Sequence, residues 1–285
     1  MLQIQNERAT SFEVGQSRCL EFLKVVILKT EAKVDQLTGC SEILNKLKSG
    51  EGSKIELWGK LKVAVFAKIA CLIHLNAFII VLVSVHFNIK VGLLLSNKAK
   101  DTELSLEDDE FFLNNSISKL AETDVVEFFA EKSLVAAEKY VGNVSLKGKI
   151  DYLFVCNAIE QILLDLDHDP KEFMNIINDL FVSEEHPLLS NYALDVAMCP
   201  DFRTVLSSCT SKSVQIFSEM AEEWMASKFL NDNSINHVLV PMAKLIPLLN
   251  SNTSHLCSSN FTDRTVDNQD LISFCENIFE AFAAM

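Results

Sequence analysis

The chain has 285 residues, a formal net charge of −14 and 49% apolar residues, with 19 Phe against only 8 Gly and 5 Pro. The acidic balance excludes a nucleic-acid binder, because phosphate binding rests on clustered Lys and Arg that release counterions. The shortage of turn residues excludes a fold of many short strands, which leaves an all-α chain long enough to bury one continuous core.

From about Gln5 to Leu47, apolar residues such as Leu20, Leu23, Val26, Ile27, Val34, Leu37, Ile43, Leu44 and Leu47 recur at helical spacing. They predict one or two amphipathic helices broken near Thr38-Gly39. The sequence SGEGS (Ser49 to Ser53) predicts a turn. After it, Ile55, Leu57, Trp58 and Leu61 open a long helix expected to run to about Val91, before Gly92. Residues 98–109, KAKDTELSLEDD, are charge-rich and predict a polar connection of about 98–110. Glu110 to Tyr140 returns to a 3.6-residue apolar period, with Gly142 as its C-terminal stop. Further helices are expected at Lys149–Leu166, Pro170–Val182, about Leu188–Ala197, Pro200–Phe229, Ile235–Leu249 and Val266–Ala284. Pro200-Asp201 is a favourable helix start, because Pro suits the first turn and Asp suits the positive end of the helix dipole.

Inside the long helix, Ile69 to Ile89 (IACLIHLNAFIIVLVSVHFNI) carries no Asp, Glu, Lys or Arg. About 20 apolar residues are enough to cross a bilayer. A helix that is apolar on all sides is either a deeply buried core element or a membrane span. His74, Asn76 and His86 interrupt the run, Lys62 and Lys68 lie on the same helix, and no second segment of comparable length exists. The run therefore predicts the fully apolar central helix of a single bundle. The alternative is an integral membrane protein spanning at about 69–89 and carrying acidic helical domains.

Catalytic and metal-binding patterns are nearly absent. DLDHD (Asp165–Asp169) opens like a calcium loop, but the sixth position is Pro170 rather than Gly and the twelfth is Ile176 rather than Glu. His255 and Cys257 form one pair with no second pair at zinc spacing, which predicts a surface His and a buried thiol. No Walker, G-x-G-x-x-G, H-E-x-x-H or G-x-S-x-G pattern occurs, so no enzyme activity, metal or cofactor is expected. Eight cysteines are scattered singly, mostly within apolar helical patterns, and read as reduced thiols in a cytosol-facing protein. The opening MLQIQNERAT lacks the charged and apolar regions of a signal peptide.

Several tracts, in order, resemble the peroxisomal biogenesis factor 3 family. They are KIELWGKLK (Lys54–Lys62) with the apolar helix that follows it, AEKYVGNVSLK (Ala137–Lys147), CPDFRTVLSSCTSKSVQIFSEMAEEW (Cys199–Trp224), VPMAKLIPLLNSNTSHLC (Val240–Cys257) and the C-terminal NIFEAF. The resemblance implies one helical docking domain over 1–285, facing the cytosol and held at the peroxisomal membrane by an N-terminal anchor. That anchor is expected to be missing here, since its place lies upstream of Met1. The implied partner is the soluble farnesylated import receptor for peroxisomal membrane proteins, peroxisomal biogenesis factor 19, whose amphipathic helix would enter a hydrophobic groove.

The groove residues that the resemblance carries over are Trp58 at the base, Leu47 and Ile55 as apolar walls, and Lys48 and Lys54 as cations toward an acidic helix. On the residues alone Trp58 reads as a core residue capping the long helix, since Trp is highly buried on average. The resemblance shifts that reading to the groove. Lys48 and Lys54 would otherwise be ordinary solvated charges.

Overall fold

Two glycines set the first corners. Gly39 and Gly50 adopt left-handed φ of 73° and 76°, a conformation that costs a residue with a Cβ about 1 kcal/mol or more. They separate α1 (Leu2–Thr38), α2 (Cys40–Ser49) and α3 (Lys54–Leu95). Gly50 closes α2 by donating its N–H to the Lys46 carbonyl, so the expected break and turn fall where the sequence placed them. The structure, a computed structural model, describes residues 2–96, 124–166, 187–229 and 239–285. The expected loop at 98–110, the first part of the helix expected from Glu110, the helix at Pro170–Val182 and most of the DLDHD tract lie outside the described residues.

The remaining helices are α4 (Asp124–Val141), α5 (Tyr152–Leu166), α6 (Pro187–Ala197), α7 (Pro200–Phe229), α8 (Met242–Asn252), α9 (Ser259–Val266) and α10 (Gln269–Ala283). Among the described residues the only strands are β1 (Lys149–Ile150) and β2 (Val240–Pro241), an antiparallel pair of two residues each. The all-α class holds.

α3 is the axis of the molecule. Every residue from Leu61 to Lys90 is buried, covered by α1, α4 and α10 and further by α2, α5, α6, α7, α8 and the 3-10 turn Thr253–Cys257. The helix is long and apolar enough to cross a membrane, yet its apolar window is wholly enclosed by protein. Burial of Phe66, Phe78, Leu61, Ile69, Leu72 and Ile73 stabilises the bundle by roughly 1.5–3 kcal/mol for each side chain removed from water. Enclosure on every face accounts for the apolar run without a lipid-facing side.

Three polar side chains on this axis find partners on its neighbours. Lys68 Nζ donates to Asp35 Oδ1 on α1 at 2.8 Å. Asn76 Nδ2 donates to the Leu256 carbonyl at 2.8 Å. Asn88 Oδ1 accepts from Gln16 Nε2 at 3.0 Å. Each satisfies a group whose burial alone would cost about 1–3 kcal/mol, and together they fix the register of α3 against α1 and the 3-10 turn.

Four boundaries differ from the sequence expectation. α3 passes through Gly92 and ends at Leu95. Gly92 is a crossing point, since a Cβ there would lie 2.8 Å from the Phe279 carbonyl oxygen and from the Phe282 Cβ of α10. α5 starts at Tyr152 rather than Lys149, because the Asp151 carboxylate accepts the Phe154 N–H at 2.8 Å and caps the helix while residues 149–150 pair with β2. α8 starts at Met242, after the strand that Pro241 ends. The expected helix from Val266 is two helices, because Asn268 caps a fresh start by accepting the Asp270 N–H at 2.9 Å.

Candidate functional site: the α2–α3 corner

The five residues singled out in the sequence lie on two consecutive helices joined by the turn at 50–53, so the structure brings them to one corner. On α2, Ile43, Leu44 and Leu47 recur at helical spacing on the inward side and are half-buried against the core, while Lys48 is exposed. Lys46 in the last turn pairs with Glu42 in the first. On α3, Lys54 and Ile55 are exposed, Leu57 is buried and Trp58 is half-buried against the edge of the core.

Ile55 is 78% exposed, the most exposed large apolar side chain among the described residues. It stands three residues before Trp58, and residues three apart share a helix face. The corner thus combines an apolar surface left open to solvent with exposed lysines at 48 and 54, alongside exposed Glu51 and Glu56. Such a surface can take an amphipathic segment whose apolar side covers Ile55 and Trp58 and whose acidic side meets the lysines.

Sequence reasoning gave no separate role to Lys62, one turn beyond Trp58. Its residue is only 2% exposed, and its ammonium donates to the carbonyls of Gly142 and Val144, both at 2.7 Å. Burial pulls its pKa below the usual lysine range, opposed by the Glu138 carboxylate. The signal was present only as the last letter of KIELWGKLK, because the partners lie 80 and 82 residues away.

The rest of the molecule offers little chemistry. All eight cysteines are free; burial pushes the thiols of Cys71 and Cys257 up to about 12, which keeps them protonated and weakly nucleophilic. Cys257 is buried and His255 exposed, as the sequence predicted. Among the described residues no group of three His, Cys, Asp or Glu side chains is placed to hold a metal ion. A cavity of about 310 Å³ lies between α4, α5 and α7, with Phe129, Leu163 and Leu206 in its wall. It includes none of the five corner residues.

No protein-family model matches the chain. Among curated proteins, it is 28% identical over 320 residues to "Peroxisomal biogenesis factor 3" of Bos taurus, covering 98% of this chain and 85% of that protein. The proteins of the same name from Homo sapiens and Mus musculus are each 26% identical, with the same two coverages. The chain is thus similar, over nearly its whole length, to proteins named peroxisomal biogenesis factor 3. Its alignment with these relatives is longer than the chain itself, so they carry segments absent here.

Proposed function

We propose that this chain is a peroxisome biogenesis factor that acts at the peroxisomal membrane with its bundle facing the cytosol. In this reading it docks the soluble farnesylated import receptor that delivers peroxisomal membrane proteins, peroxisomal biogenesis factor 19, by seating the receptor's amphipathic helix on the α2–α3 corner. The similarity to proteins named peroxisomal biogenesis factor 3, along nearly the whole chain, supports the biogenesis role. The observation that carries the docking role is Ile55 left exposed beside a half-buried Trp58, rimmed by Lys48 and Lys54. Leu47 supplies the apolar side of α2 next to it.

An apolar anchor of this type is where binding energy concentrates, because Trp offers a large area with few rotamers to freeze. Replacing Trp58 by Ala is expected to cost about 2 kcal/mol or more of binding, roughly thirtyfold in Kd. The far-ultraviolet circular dichroism of the bundle should stay helical, since Trp58 sits at the edge of the core. Titration calorimetry of the purified chain with the recombinant receptor reads the effect, and an affinity equal to that of the unsubstituted chain would remove the corner from consideration.

A further inference from the structure

We infer that the segment from Gly142 to Lys149 is a second, rigid wall of the same docking surface, and that Lys62 is the residue that positions it; this rests on the docking role proposed above. Side chains of a helix lean toward its N-terminus, so Lys62 reaches back over the turn that carries Trp58. Lys62 stands four residues after Trp58 on the same helix face, so the two carbonyls it holds, Gly142 and Val144, are anchored within one turn of Trp58.

The same segment is held from its other end. Met242 N–H donates to the Gly148 carbonyl and Ala243 N–H to the Leu146 carbonyl, each at 3.0 Å, so the first turn of α8 finds its acceptors there. Alternate carbonyls at 142, 144, 146 and 148 are all engaged, the first pair by an ammonium and the second by a helix start. The exposure follows the same alternation. Val144 and Leu146 are half-buried against the core, whereas Asn143, Ser145, Lys147 and Lys149 are exposed. The wall thus leaves polar and basic side chains open to solvent at this end of α3.

The occupant that fits is an amphipathic helix with an acidic face. Lys147 and Lys149 add to Lys48 and Lys54, so exposed lysines gather at this end, beside exposed Glu51 and Glu56, on a chain of net charge −14. Oppositely charged rims steer encounter and set orientation, and a wall fixed before binding spares the complex the entropy of ordering it.

The experiment measures binding of the full chain to the recombinant receptor for four proteins: unsubstituted, Trp58→Ala, Lys62→Met, and Lys147→Glu with Lys149→Glu. The paired charge reversal touches only exposed side chains and should leave the fold intact. It is expected to weaken binding about tenfold at low salt, with a flatter dependence on ionic strength. Lys62→Met should weaken binding by a similar factor and raise amide exchange at 142–146 in the free chain, while helicity is retained. In the unsubstituted complex the 142–146 amides should gain protection on binding. If Trp58→Ala loses affinity while the charge reversal binds at full strength with an unchanged salt slope, and 142–146 gains no protection, the wall is refuted and the corner survives. If Trp58→Ala also binds at full strength, the docking reading falls and the wall with it. Should Lys62→Met unfold, the charge reversal and the exchange footprint still decide.

Discussion

α3 contains two regions with opposite fates. From Leu61 to Lys90 every residue is sealed inside other helices, whereas at Lys54 and Ile55, less than two turns earlier, the same helix lies open to solvent. The difference lies in what surrounds the helix rather than in its own regularity. α1, α4 and α10 pack along α3, whereas its first residues follow directly on the short α2 and its turn. Apolar residues in the first region act on stability, and those in the second are available for binding.

The largest way to test that contrast is to remove volume from the sealed region. Phe66→Ala deletes a fully buried ring and is expected to destabilise the fold by about 3–5 kcal/mol, seen as a lowered midpoint in urea with an unchanged slope. Gly92→Ala introduces a methyl group 2.8 Å from the Phe279 carbonyl oxygen and the Phe282 Cβ. It should cost about 1–3 kcal/mol by overpacking the α3–α10 crossing, again read by urea unfolding. At the small end, Ile55→Ala should shift unfolding by less than about 0.5 kcal/mol and yet lower receptor affinity in calorimetry. A large stability loss from Ile55→Ala would erase the distinction between the two regions.

Acid sharpens the comparison from the sealed side. Burial acts to raise the Asp35 pKa, but its hydrogen bonds to Lys68 and Ser41 and the attraction of the Lys68 ammonium outweigh that and leave it below its ordinary value. A carboxylate with a depressed folded pKa contributes its full stability above the ordinary carboxylate range and loses it as pH falls through the folded value. Thermal unfolding followed from neutral pH to below the carboxylate range should therefore show a falling midpoint, and Asp35→Asn should flatten the decline.

Much of the architecture was legible because it depends on local rules. Gly39 and Gly50 mark breaks that only a left-handed residue permits, and the burial of Ile69–Ile89 follows from its lack of any polar face. Gly92 misled for a physical reason: near the end of a helix a glycine reads as a stop, and nothing local announces that α10 crosses there. The strand pair was hidden because each strand has two residues and the partners are 90 and 92 positions apart. That Leu47, Lys48, Lys54, Ile55 and Trp58 flank one turn follows from their positions on either side of SGEGS, while their choice as binding residues came from the family resemblance. The task of Lys62 was not, since a lysine on a core helix gives no sign of which distant carbonyls it meets.

The length of α3 has a mechanical consequence. Its 42 residues make a rod of about 63 Å at 1.5 Å per residue, clamped along most of that length by its neighbours. Trp58 lies in the second turn of this rod, half-buried at the edge of the core, so a load applied there passes into the clamped part. In the docking role proposed above, the receptor helix would meet a fixed surface and do the bending itself.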